Sequence, residues 1–381
     1  MKNIFSFFKG STNRKIDKVF LTLVVLLSVL GTVMVCSAGY AYAAVRYGDP
    51  MYFVKRQLIW LLLGVIALFI GIKLKPDVIL RFVPLSYILT LVLLVLTLLI
   101  GFVGNGAQRW ISIGPITLQP SEIAKLTMVM ALAAYFSKFE AKATAARTRK
   151  ESFIYGTLFP VLIMLVPILL VMLQKHLSCI IILGTIGLLV IVMAGIKLKY
   201  IGGFSILGLL GVSYIAFFTD YTKERITVWR DPEAYKLTGG WQTLQGLMAI
   251  GSGGLFGKGL LKGELKYCYV SEPANDMIFA ILCEELGFVG ALFTLLIFAF
   301  LVYRGFRIAL SSGTTFERLL CLGIITKVAV QTLLNVAVVT NTIPNTGISL
   351  PFFSYGGSSL IMLFFEMGVV LSISRDAVMH K

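Results

Sequence analysis

Histidine is almost absent from this chain of 381 residues; only His176 and His380 occur. Two imidazoles so far apart exclude a His-based zinc site. Cysteine is sparse as well. Cys36, Cys179, Cys268, Cys283 and Cys321 form no CxxC, and four of them lie in or beside hydrophobic runs. Neither a metal site nor a disulfide framework is indicated. Short alternating apolar and polar segments are missing, which excludes a transmembrane β-barrel. There is no low-complexity linker, no clear internal repeat, and no convincing pair of broken helices such as an inverted-repeat transporter would show. Acidic residues are also in deficit, 18 against 34 Lys and Arg.

What the chain has is hydrophobic blocks. Of its residues 58% are hydrophobic, gathered in runs of about 20, the length that crosses a bilayer as a helix. The expected fold is all-α: a polytopic integral membrane protein of about ten transmembrane helices, one membrane domain over residues 1–381. The expected spans are 19–44, 57–74, 83–103, 121–137, 153–173, 177–195, 198–219, 277–302, 318–341 and 352–373. Residues 1–18 read as a basic tail. The run from Val19 to Ala44 is too long for a signal-peptide core and reads as a retained first helix. Residues 220–275 are the one long polar segment.

Ten spans starting from the inside put 20 Lys and Arg on the cytoplasmic face, among them Lys73, Arg81, Lys138, Arg307 and Arg375. The short external connections hold five: Arg46, Lys55, Arg56, Arg109 and Lys175. That asymmetry predicts both termini in the cytoplasm and the 220–275 segment outside. The net charge of +16 then reads as Lys and Arg facing anionic lipid, and nucleic acid is not an expected partner.

Carboxylates inside apolar runs are costly and face a cavity or a partner. The stretch Glu272-Pro273-Ala274-Asn275-Asp276, continuing through Cys283-Glu284-Glu285-Leu286-Gly287, carries four of them. Asp276 stands where the polar segment gives way to a hydrophobic span, at the expected outer mouth of a membrane cavity. The helix dipole there favours its ionised form and burial opposes it. Glu122 and Lys125 lie three apart on one face of the fourth span, behind Pro120 and Ser121. They read either as a surface ion pair or as a cavity-facing pair, with Arg109 near them to meet a phosphate through its planar fork. Lys327 and Glu366 each lie nine residues from an arginine, Arg318 and Arg375. At a helical rise of about 1.5 Å per residue both sit about 13 Å deep, and they are expected to form a buried ion pair. The glycine-rich run Gly251 to Gly259 is not a P-loop, because Ser252 and Gly259 stand where Gly and Ser or Thr are required. It reads as a flexible external loop, preceded by an amphipathic helix over 241–250 and followed by Lys258, Lys262 and Lys266, which suit an anionic headgroup. Pro344 to Ser359 is dense in Gly, Ser and Pro. Such backbone is tolerated at membrane depth where protein or a cavity covers it, or it serves close helix packing.

Taken together, these segments resemble the SEDS family (shape, elongation, division and sporulation) over nearly the whole chain. The resemblance rests on Arg109-Trp110, on Gln119-Pro120-Ser121-Glu122-Ile123-Ala124-Lys125, on Gly251 to Gly259, on Glu272 to Gly287, on Gln331 and Asn335, and on Pro344 to Ser359. The glycine loop and Leu350-Pro351-Phe352-Phe353-Ser354-Tyr355-Gly356-Gly357-Ser358-Ser359 look more like the division-type FtsW, or its sporulation relative, than RodA. The resemblance implies a peptidoglycan glycosyltransferase that polymerises lipid II at the bacterial cell membrane and releases undecaprenyl pyrophosphate. It implies Asp276 as the catalytic group. Arg109, Glu122, Lys125, Lys258, Glu272, Ser354, Gly356 and Gly357 are the expected substrate contacts. A class B penicillin-binding protein is the implied partner, along with other divisome or elongasome proteins. A divalent cation, Mg or Mn, is a candidate companion of the pyrophosphate, though the sequence shows no dedicated metal site. A lipid II flippase and a scaffold for a partner transpeptidase are the competing functions. Two positions depart from the pattern. Lys175-His176-Leu177-Ser178 stands where the family often has Pro-Asp-Leu-Gly, and Asn341 stands where Gly is common.

Overall fold

The structure, a computed structural model, describes residues 15–104, 107–114, 116–144, 151, 153–196 and 220–377. Its elements begin with three long helices, α1 (Lys18–Tyr47), α2 (Tyr52–Lys73) and α3 (Pro76–Ile100). Three short strands follow, β1 (Phe102–Gly104), β2 (Ala107–Ile113) and β3 (Ile116–Leu118), then α4 (Pro120–Thr144). A π-helical turn (Ile154–Leu158) leads into α5 (Phe159–Leu173), with α6 (Leu177–Met193) behind it. The polar segment carries α7 (Asp220–Arg230) and α8 (Gly240–Gly253). Three long helices close the chain: α9 (Ile278–Leu310), α10 (Thr315–Val339) and α11 (Gly357–Asp376).

Among the described residues, seven helices are long and apolar enough to cross a membrane: α1, α2, α3, α5 with its π turn, α9, α10 and α11. α6 is a shorter apolar helix. α4 has the length, 25 residues, but carries Glu122, Lys125 and Lys138. Nine of the ten expected spans therefore have a helix. The tenth, 198–219, lies outside the described residues, as do residues 1–14 of the basic tail.

The helix ends sort into two sets. Asp17 caps α1, accepting the Phe20 N–H at 2.8 Å. The same carboxylate takes Arg304 at 2.8 Å, and the Asp17 N–H donates to Ser374 Oγ at 3.1 Å. Ser372 Oγ donates to the Leu74 carbonyl. The start of α1 and the ends of α2, α9 and α11 thus meet at one end, where the basic residues concentrate. At the other end the α5–α6 connection is the expected tight hairpin. Lys175 turns through φ 55, and Gln174 Nε2 ties it to the Leu94 carbonyl at 3.0 Å.

α10 and α11 form the centre. In their most apolar windows 67% and 72% of residues are buried, against 22% in α3. α2 packs along α11 through glycines: a Cβ at Gly368 would lie 2.3 Å from the Leu68 carbonyl oxygen, and one at Gly71 2.6 Å from the Phe365 carbonyl oxygen. Lipid supplies no hydrophobic drive between helices, so such backbone approach is what holds them. The outward faces of α2 and α3, with Leu58, Leu62, Ile66, Leu85 and Leu89, are exposed and apolar, as lipid contact requires.

Two features differ from the sequence reading. The 102–118 loop is an antiparallel three-stranded sheet, order β1-β2-β3, with Ile111 opposite Leu118 and Ile113 opposite Ile116. The glycine-rich loop is docked, not free. α9 breaks at Gly287, φ 67 and ψ −171, and the loop satisfies the backbone groups around the break. Lys258 N donates to Glu284 O at 3.0 Å, Gly259 N to Glu285 O at 2.9 Å, and Phe288 N to Gly254 O at 2.9 Å. A Cβ on Gly287 would sit 2.3 Å from Gly257 N, so both positions need glycine. Glu284 and Glu285, fully buried, brace this loop. Glu284 takes Lys258 at 3.0 Å and the Glu264 N–H at 2.8 Å. Glu285 takes Lys266 at 2.6 Å and Ser37 Oγ at 2.6 Å.

Candidate active site

Asp276 stands two residues before α9, between Pro273 and the helix. Its surroundings come from three directions. From α8, Gln242 Nε2 lies 3.4 Å from each carboxylate oxygen. From α10, Asn335 Nδ2 donates to the Asp276 carbonyl at 2.9 Å and to the Ile348 carbonyl at 2.6 Å. From the Pro344–Ser359 segment, Ser354 Oγ donates to the Asn275 carbonyl at 2.7 Å, and Tyr355 N donates to the Ala274 carbonyl at 2.8 Å. The irregular backbone around the carboxylate is thereby hydrogen-bonded at depth, as it must be where water is scarce.

Gln242 is itself oriented. Asn345 Nδ2 donates to its Oε1 at 3.1 Å, which turns the amide N–H groups toward Asp276. Arg225 in turn donates to the Asn345 carbonyl. Gly347, with φ 70, faces the carboxylate: a Cβ there would meet Asp276 Oδ2 at 3.5 Å. Glycine at this left-handed position leaves that oxygen uncovered.

Asp276 is partly buried. Of the two opposed effects expected from the sequence, burial wins. It pushes the carboxyl from its ordinary 3.8 up to about 6, helped by the Glu272 carboxylate, while Gln242 and Arg225 pull the other way. Met277 occupies the cap of α9, so Asp276 lies one position outside it.

Glu122 and Lys125 form a buried pair at 2.7 Å. Lys125 Nζ also reaches Gln331 Oε1 at 3.5 Å, and Gln331 Nε2 donates to Ser349 at 3.0 Å. Glu122, Lys327, Gln331, Ser349, Ser354 and Ser359, with apolar residues such as Phe352 and Leu363, line a cavity of about 20 Å³, room for about one water. Glu122 and Lys125 are thus a buried pair and not a surface one, with Glu122 on the cavity wall. Lys327 and Glu366 make the expected ion pair at 2.5 Å.

The remaining expected contacts are distributed. Glu272, at φ 52, accepts from Asn275 Nδ2 beside Asp276. Gly356 caps α11 and Gly357 is its first residue; a Cβ on Gly357 would strike the Trp60 ring at 2.5 Å. Lys258 is engaged by Glu284 and Glu264, at 3.0 and 3.2 Å, away from Asp276. Arg109, on β2, donates to the Lys175 carbonyl at 3.3 Å, and its buried Nε has no hydrogen-bond partner among the described residues. His176 lies 3.4 Å from Ser121 Oγ through Nδ1. Burial lowers its pKa well below the ordinary value, and Arg109 and Lys125 add to that. A neutral imidazole therefore stands where the resembling family often has an acid. Asn341 has φ 55, which explains Gly as its usual counterpart; Asn is among the few other residues that adopt this conformation readily. The described residues bring no three His, Cys, Asp or Glu side chains together, so they do not fit a resident metal site.

Sequence reasoning missed Gln242, Asn345 and Arg225 as neighbours of Asp276; nothing in their spacing marks them. Asn335 was legible. Lys327, Gln331 and Asn335 recur every four residues on an otherwise apolar helix, one polar stripe on one face.

Comparison with known proteins extends this picture. The FtsW, RodA and SpoVE family, described as "Cell cycle protein", matches residues 17–378. Stage V sporulation protein E of Bacillus subtilis is 37% identical over 361 residues, 94% of this chain and 97% of that one. The probable peptidoglycan glycosyltransferase FtsW of Trichlorobacter lovleyi is 36% identical, covering 94% of this chain and 93% of that one. Among solved structures, a chain of a peptidoglycan synthase complex that coordinates polymerization and crosslinking superposes with TM-score 0.76 at 27% identity, covering 96% of this chain and 99% of that one. The rod shape determining protein RodA of Thermus thermophilus superposes with TM-score 0.70 at 28% identity, covering 95% and 98%.

Proposed function

Because the chain belongs to the FtsW, RodA and SpoVE family, we propose that it is a peptidoglycan glycosyltransferase. It polymerises lipid II into glycan strands in septal wall synthesis, in the bacterial plasma membrane, with both termini inside and residues 220–275 outside. Asp276 is the base. Its carboxylate takes the proton of the acceptor sugar's 4-hydroxyl as that oxygen bonds to the donor's anomeric carbon; the bond to the pyrophosphate breaks, and undecaprenyl pyrophosphate departs with the electron pair. A general base has to reach the proton within about 2.6–3.2 Å and be ionised at working pH. The single observation that carries this reading is the carboxylate's setting: oriented by Gln242, uncovered at Gly347, and titrating about 6.

Arg109, with its unpartnered buried Nε, and Lys125 are the cations available to a pyrophosphate. Glu122 holds Lys125 in place. Glu272 and Ser354 frame Asp276, Gly356 and Gly357 start α11 directly after Ser354 and Tyr355, and Lys258 fixes the glycine-rich loop against α9. Among the described residues no protein cage suits the implied divalent cation, and every step above uses the chain's own groups. Lys327 and Glu366 satisfy one another, so this pair presents no free charge to a passing headgroup, which supports a transferase over a lipid II flippase. A class B penicillin-binding protein is the proposed partner; the synthase complex among the structural relatives supports it.

The test is polymerisation of fluorescent lipid II by the purified protein with its cognate transpeptidase. Asp276→Ala abolishes polymer in protein that still unfolds cooperatively, at or above the wild-type temperature. Polymer that persists in Asp276→Ala refutes the base assignment, and lipid II translocation in liposomes without polymer returns the flippase.

A further inference from the structure

A second pocket, about 270 Å³, opens on the outer side between α7 and α8. Its walls include Glu224, Arg225, Trp229, Gln242, Thr243 and Asn345. The volume is near the lower end of small-molecule sites, about 300–1,000 Å³, and suits a single sugar ring. Gln242 belongs both to this wall and to Asp276, whose two oxygens it meets at 3.4 Å.

We propose that this pocket seats the terminal pyranose of the acceptor strand, the sugar whose 4-hydroxyl faces Asp276; the inference rests on the transferase reading. The wall chemistry selects the ligand. Glu224 and Arg225 bring opposite charges side by side, so the wall is close to neutral and poorly matched to a pyrophosphate. Arg225 is further committed to the Asn345 carbonyl. Two amides, a hydroxyl and a carboxylate offer donors and acceptors together, which is what ring hydroxyls and an acetamido group need. Trp229 supplies the apolar ring surface on which a sugar's C–H face rests. Its indole N–H is held by the Asn341 carbonyl at 2.9 Å, so the ring is fixed in advance. The walls mix these polar groups with Val228 and the Trp229 ring, the two-sided lining that a sugar, with its hydroxyls and C–H faces, requires.

Position selects acceptor over donor. A hydroxyl seated against Gln242 is one hydrogen bond from Asp276, on the side that Gly347 leaves uncovered. The cations suited to the donor's pyrophosphate, Arg109 and Lys125, lie instead with His176 and the α4 cavity.

Saturation-transfer NMR on the full chain in detergent, with unlipidated N-acetylglucosaminyl-N-acetylmuramic acid as probe, reads the site directly. Wild-type protein transfers saturation to the disaccharide. Glu224→Ala, at an exposed position, weakens its Kd about five-fold, the loss expected of one hydrogen bond. Glu224→Ala combined with Thr243→Val weakens it further. Equal melting temperatures exclude misfolding. No transfer to wild type, an unchanged Kd in the double variant, or displacement of the disaccharide by inorganic pyrophosphate overturns the subsite. The two readings fail separately. Binding without polymerisation contradicts the transferase alone, whereas polymerisation with an unweakened acceptor KM in the double variant contradicts the subsite alone.

Discussion

Replacing Glu272 by Gln lowers the pH at which polymerisation begins. Asp276 titrates about 6 instead of its ordinary 3.8 because burial, first, and the Glu272 carboxylate, second, disfavour its charged form. With a base of that pKa the rate falls to roughly a tenth of its plateau at pH 5; a base near 3.8 would keep over roughly nine tenths of it there. The assay is initial rate of fluorescent lipid II polymerisation from pH 5 to 8, with product release excluded as the limiting step. Glu272→Gln moves the acid limb down. Gln242→Leu, which removes a bond that favours the carboxylate, moves it up. The same shift has a thermodynamic face. A carboxyl raised on folding costs nothing below its unfolded pKa, and its penalty grows as pH rises from about 4 to about 6. Above that the folded state carries about 3 kcal/mol at most. Asp276→Asn therefore melts higher than wild type at pH 7 and the same at pH 3.5. A plateau that extends unbroken to pH 5, or a Glu272→Gln limb that moves upward, refutes the reasoning.

Other perturbations have equally definite outcomes. Lys327→Met strands the buried Glu366 carboxylate and costs about 3–5 kcal/mol; the exchange Lys327→Glu with Glu366→Lys recovers folded yield that either single reversal loses, measured by detergent-exclusion chromatography. Gly368→Leu drives a side chain into the Leu68 carbonyl oxygen, an overpacking of about 1–3 kcal/mol, read as a drop in melting temperature. Gly287→Ala strains a left-handed residue and strikes Gly257 N, at about 1–3 kcal/mol for the backbone alone; limited trypsin digestion at Lys258 and Lys262 accelerates, whereas unchanged protection refutes the docked loop.

The membrane spans were legible because bilayer thickness imposes a length on apolar runs. The Lys327–Glu366 pair was legible for a related reason, since depth can be counted from an arginine at the membrane edge and a buried charge demands a partner. Asp276 stood out as an acid at a helix entrance, though its role came from the resemblance and not from its position. The docked loop was not legible. Gly251 to Gly259 carries the composition of a mobile segment, and only the break at Gly287 creates backbone groups that require it. Gln242, Asn345 and Arg225 were hidden for a different reason. They are ordinary polar residues in polar connections, and 34 to 120 positions of sequence separate the partners along the chain. Lys258 shows the converse: its charge suggested a headgroup, and two acids already hold it.

The polar stripe on α10 makes three distant events share one fate. Lys327 meets α11 through Glu366, Gln331 meets Ser349 and Lys125, and Asn335 holds the backbone of Asp276. Eight residues of helix span about 12 Å, and each residue advances about 100° around the axis. The stripe works like the teeth of one key: a turn of the helix that disengages any tooth disengages the others. A twist applied at the basic end of α10 is therefore felt, without intervening joints, at the carbonyl of Asp276.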